Sequence, residues 1–90
     1  MQVFLHPSAR KYLERLTQTD RERIKKALQG LEKEPPEGNI CPYEGNPGIW
    51  RLKVGGYRVL YKIETVDSIL VTHIEPRGQA YTKKTRSKRG

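Results

Sequence analysis

Ninety residues, 34% of them hydrophobic, allow one small domain burying about 60–65% of its unfolded surface and exclude a second core. No apolar run approaches the roughly 20 residues of a membrane span, and the opening MQVFLHPSAR places no basic segment ahead of an apolar one, so neither an anchor nor a signal peptide is expected. Of the net charge of +8, residues 50–90 carry +7, which points to a polyanion: nucleic acid before an acidic membrane surface, because the basic residues fall on strand-like and tail segments rather than on an amphipathic helix.

In chain order, QVFL at 2–5 reads as a short strand, and Pro7 suits the first turn of a helix. Ala9, Tyr12, Leu13 and Leu16 follow at i, i+3, i+4, i+7, one helical face. TDRE at 19–22 reads as a capping box, with Thr19 bonding the Glu22 amide and Glu22 reaching back. Ile24, Ala27, Leu28 and Leu31 then repeat the helical spacing, and the second helix should end before Pro35-Pro36. Residues 35–48, with four Pro and three Gly, read as a connector too punctuated for any regular element. The single Cys41 within it cannot form an internal disulfide, and with two scattered His it gives no metal-site spacing. No metal or cofactor is expected, and a reducing cytoplasm fits best.

The period then changes from 3.6 to 2. In WRLKVGGYRVLYK, residues 50–62, a turn at Gly55-Gly56 makes paired residue numbers sum to 111, which sets Leu52 opposite Val59 and Trp50 opposite Tyr61. The same register sets Lys53 opposite Arg58, with Arg51 two residues along on that face. Opposed like charges lie roughly 5 Å apart at Cβ and cost some tenths of a kcal/mol, so an anionic third party is suggested. SILVTHIE, 68–75, alternates little, as expected when both faces are covered, and reads as the central strand. PRGQAYTKKTRSKRG then leaves as a tail with six Lys/Arg and no acid.

The order β-α-α-β-β-β implies an α+β fold: two N-terminal helices packed on one face of a mostly antiparallel four-stranded sheet, the Trp50 face. Residues 1–82 would form the single domain and 83–90 a flexible basic tail. Arg51, Lys53 and Arg58 would occupy the uncovered face, and Arg77, just past the last strand, could join them.

The two-helix opening, the hairpin WRLKVGGYRVLY and the closing EPRGQAYTK together resemble the RelE/ParE superfamily of toxins from type II toxin-antitoxin systems, over nearly the whole chain. The basic-x-basic strand, Gly-Tyr-Arg after the turn, and Arg followed four residues later by Tyr are most similar to the RelE-type mRNA endoribonucleases. The resemblance implies a cytoplasmic toxin that cleaves mRNA on the ribosome without metal and is restrained by a cognate antitoxin protein. In that chemistry the ribose 2′-OH attacks the adjacent phosphate, giving a 2′,3′-cyclic phosphate and a 5′-OH.

Such a step needs a base for the 2′-OH, donors for the developing phosphorane charge and an acid for the leaving oxygen. The late chain offers no carboxylate pair and no His pair near the hairpin, but neighbouring like charges disfavour a protonated lysine. Lys53 is therefore the candidate base, Arg58 the group on the scissile phosphate, and Arg51 a support to both. The resemblance further implies that Arg77 serves the leaving oxygen, mainly through charge because a guanidinium with a pKa above about 12 releases a proton poorly, and that Tyr81 stacks on a base. Lys83 and Lys84 begin a tail suited to electrostatic contact with RNA. Many RelE-type toxins carry Lys at both basic positions of the strand, whereas here the first is Arg51, which leaves Lys53 without a substitute.

Each residue has a plainer reading. Basic strand residues are often only solvated, Arg77 could terminate the strand, Tyr81 could pack on the tail, and His73 reads first as a structural strand residue although some superfamily branches use a late His in catalysis. Trp50, Tyr57 and Tyr61 read as core. Two other functions share these features: a ParE-like inhibitor of DNA gyrase, acting by protein contacts, and a non-catalytic RNA-binding module.

Overall fold

The chain begins with β1 (Gln2–Leu5) and turns into α1 (Pro7–Glu14), where the His6 ring nitrogen accepts from the Ser8 amide at 3.1 Å and Pro7 takes the first turn. The computed structural model describes residues 1–76. After α2 (Gln18–Leu31) come β2 (Asn39–Pro42), β3 (Trp50–Val54), β4 (Tyr57–Thr65) and β5 (Ser68–Pro76). The sheet order is β1-β5-β4-β3-β2, antiparallel except for the parallel β1–β5 pair.

The expected α+β arrangement is present with one more strand than four. β2 arises within the stretch read as a structureless connector: Asn39, Ile40, Cys41 and Pro42 pair with Lys53, Leu52, Arg51 and Trp50. As the edge strand of the sheet, it tolerates Pro42, which could not donate to a ladder on both sides. Gly38, at φ 140°, turns the chain into this strand, and a Cβ there would lie 2.7 Å from Leu52 Cδ1. The capping reading also shifts. Thr17, not Thr19, caps α2, accepting from the Asp20 amide at 3.3 Å; Thr19 lies inside the helix, and Glu22 instead accepts from Gln18 Nε2 at 3.1 Å.

The hairpin register is the one the alternation predicts, with Trp50, Leu52, Lys53 and Val54 opposite Tyr61, Val59, Arg58 and Tyr57. Gly55 opens the turn at φ 57°, as a two-residue hairpin loop requires of its first residue. Leu52, Val54, Val59 and Tyr61 join Ile69, Val71 and Ile74 of β5 and Ala9, Leu13, Ile24, Leu28 and Leu31 of the helices in one core, against which Trp50 and Tyr57 pack. Burial of each large aliphatic there contributes about 1.5–3 kcal/mol. β5, read from its composition as the central strand, lies between β1 and β4, and β4 holds the middle place.

A polar tether fixes the hairpin to the helices. The Tyr57 hydroxyl donates to Asp20 Oδ2 at 2.8 Å, and Tyr12 meets the Tyr57 ring edge-on at 6.4 Å. The hydrogen bond to Asp20, then burial, push the Tyr57 phenol above its ordinary value of 10.0. Burial first, then the Glu75 charge, raise Tyr12, and burial raises Tyr61.

The folded chain thus keeps these protons after the unfolded chain begins to lose them. Tyrosine-linked stability should be intact below pH 10.0 and fall as pH rises beyond it. In urea titrations across that range, Tyr57→Phe should lose about 1 kcal/mol at neutral pH and show a shallower alkaline decline than the parent. Gly38→Ala should cost about 1–3 kcal/mol in the same assay, from the strained φ and the contact with Leu52.

Candidate functional site

Because Leu52, Val54, Val59, Tyr61 and Ile74 point into the core, the residues alternating with them face the opposite side of the sheet. Successive pairings across four strands form two rows there. One runs Cys41, Arg51, Leu60, His73; the next runs Asn39, Lys53, Arg58, Glu75. Directly opposed side chains in such rows have Cβ atoms about 4.5–5.5 Å apart. Arg51, Lys53 and Arg58 are therefore neighbours, as the register requires.

Their surroundings differ. Arg51 is half-buried and points one terminal nitrogen at Cys41 Sγ, 2.8 Å away. Leu60, beside it, is only 8% exposed even though it lies outside the main core. Arg58 forms an ion pair with Glu75 through Nη2 and Oε2, the two side chains 18% and 24% exposed. The other Glu75 oxygen faces His73 Nε2 at 3.4 Å. The Nε atoms of Arg51 and Arg58 are buried without a hydrogen-bond partner among the described residues. A buried donor left without a partner costs on the order of 1–3 kcal/mol.

Lys53 stands between Arg58 and Asn39, and no carboxylate of the described residues forms an ion pair with it. It borders a cleft of about 420 Å³ whose wall also carries Lys26, Gln29 and Lys33 of α2 and the acid Glu37. The face therefore carries an arginine paired with an acid beside a lysine that forms no ion pair among the described residues. Chemically, it offers an anion the cations of Arg51 and Lys53, and Arg58 in competition with Glu75.

Arg51, Lys53 and Arg58 are thus brought together; Arg77, Tyr81, Lys83 and Lys84 lie outside the described residues, as does the segment 83–90 expected to be a basic tail. His73 shares the face. The sequence reading passed over Glu75, although a signal for it exists. A two-residue turn at Val66-Asp67 makes paired numbers sum to 133, which sets Glu75 opposite Arg58. Among the described residues, no helix is long and apolar enough to cross a membrane.

Residues 3–81 match the family described as the ParE toxin of type II toxin-antitoxin system, parDE. Among solved structures, a chain of the archaeal RelE–RelB complex from Pyrococcus horikoshii OT3 is similar at 28% identity, over 87% of this chain and 96% of that one, with a TM-score of 0.71. The isolated Escherichia coli RelE toxin shares the fold at 22% identity over 94% and 95% of the two chains, TM-score 0.69. A chain of the RelB–RelE complex from Methanococcus jannaschii does so at 20% identity over 90% and 98%, TM-score 0.69. No curated protein sequence matches.

Proposed function

Because the chain belongs to the ParE toxin family of type II toxin-antitoxin systems, within the RelE/ParE superfamily, we propose that it is a cytoplasmic toxin that cleaves mRNA on translating ribosomes without a metal. The observation that carries this reading is the placing of Arg51, Lys53 and Arg58 side by side on the face of the sheet away from the helices, with Lys53 free of any carboxylate partner among the described residues.

In this reading the Lys53 amine takes the proton of the ribose 2′-OH. The O2′–P bond forms as the P–O5′ bond breaks, and the departing 5′ oxygen takes a proton from solvent, leaving a 2′,3′-cyclic phosphate and a 5′-OH. Arg58 and Arg51 carry the negative charge that grows on the non-bridging oxygens, where fixed cations act most strongly. Arg77 serves the departing 5′ oxygen through its charge, Tyr81 stacks on a neighbouring base, a contact worth about 1–3 kcal/mol, and Lys83 and Lys84 hold flanking phosphates. The two archaeal structures are complexes of RelE with RelB, and by that likeness a cognate antitoxin protein restrains this toxin.

A second reading has specific support. The matching family carries the ParE name, and Glu75 already neutralises one of the three cations, so a ParE-like inhibitor of DNA gyrase, acting by protein contacts, remains the competing function. Primer extension on mRNA from induced cells separates the two: codon-positioned breaks belong to the endonuclease, intact mRNA with DNA-damage signalling to the gyrase inhibitor. Lys53→Ala should lower cleavage on translating ribosomes by about 10²–10⁴-fold while leaving the melting temperature nearly unchanged. Full cleavage by that variant would remove Lys53 as the base.

A further inference from the structure

Glu75 is the one carboxylate in the rows that hold Arg51, Lys53 and Arg58. It lies directly across from Arg58, and its Oε2 takes the Arg58 terminal nitrogen. A phosphate oxygen and a carboxylate oxygen bind the same guanidinium edge with the same geometry, so a phosphodiester reaching Arg58 must displace Glu75 or share the group with it. Glu75 has a second neighbour besides Arg58. Its second oxygen has His73 Nε2 at 3.4 Å, so the carboxylate keeps a neighbour when it gives up the arginine.

We infer that Glu75 is an internal occupant of the phosphate site, a residue that sets the affinity of this face for RNA by competing with the substrate phosphodiester for Arg58. The inference rests on the reading of the face as an RNA site. In the resting chain Arg51 and Lys53 attract the polyanion, and Arg58 becomes available only to a phosphate placed well enough to replace the carboxylate. Glu75 thereby weakens binding of stray RNA and favours an mRNA that other contacts, such as those of the ribosome, hold in position. An ordinary structural cross-strand pair would behave differently: its loss would lower stability and leave RNA affinity alone.

The test measures fluorescence anisotropy of a labelled 2′-O-methyl RNA nonamer, which lacks the attacking hydroxyl, with the full chain at several salt concentrations. Glu75→Gln should bind about 5–10-fold tighter than the parent, with a salt slope steeper by about 0.7, the increment for one further phosphate contact on a single strand. In an Arg58→Gln background, the same Glu75→Gln change should have no effect. Equal or weaker binding by Glu75→Gln overturns the inference, as does tightening that persists without Arg58, since that reports net charge rather than release of the arginine. Thermal melts of all four proteins confirm that folded chains are compared. Tighter binding with no cleavage on ribosomes would keep Glu75 in this role and retire the endonuclease, whereas cleavage with unchanged affinity would do the reverse.

Discussion

The pairing of β3 with β4 governs both faces of this protein. With Leu52 opposite Val59 and Trp50 opposite Tyr61, the apolar residues of both strands meet the helices together, and the alternating residues are committed to the other side. A slip of one residue would turn each set over, so burial of the core is what holds Lys53 beside Arg58 against their mutual repulsion. That repulsion amounts to some tenths of a kcal/mol, whereas each buried aliphatic is worth several times more. The basic face is a consequence of the core, to which the Arg58–Glu75 ion pair adds a contribution of its own.

Much of this was legible because it is local. The period of 3.6 in residues 9–31 and the period of 2 in residues 50–63 mark elements whose partners are near in sequence, and a two-glycine turn leaves only one sensible register. β2 was hidden because its strand character comes from pairing with β3 and not from its own residues, which include an edge proline. The cap of α2 was misplaced by two residues because Thr17 and Thr19 both precede an acid three residues on, Asp20 and Glu22. Tertiary structure separates them: Asp20 lies where Tyr57 can reach it.

Glu75 was missed for another reason. The last strand loses its alternation at Thr72, so a parity count assigns no face to the residues beyond. The structure resolves this with two irregularities, one between Ile63 and Thr65 and one between Leu60 and Tyr61, that cancel; Arg58 and Glu75 meet as though the hairpin were regular. The pair is less than a quarter exposed on either side, where it offsets the Lys53–Arg58 repulsion. The face therefore combines two unlike cations: Arg58 already paired with an acid of its own chain, and Lys53 with no ion pair among the described residues.

The irregularity at Thr72 also sets what kind of sequence change the molecule can absorb. One extra residue there turns Ile74 inward and His73 and Glu75 outward; without it, the strand beyond would present its apolar and acidic members to the wrong sides. Point substitutions along this strand alter one contact at a time, but a single-codon deletion at that place would exchange a core side chain for a charged one and empty the row beside Arg58 in the same stroke. Length, more than composition, is the inherited quantity in this segment.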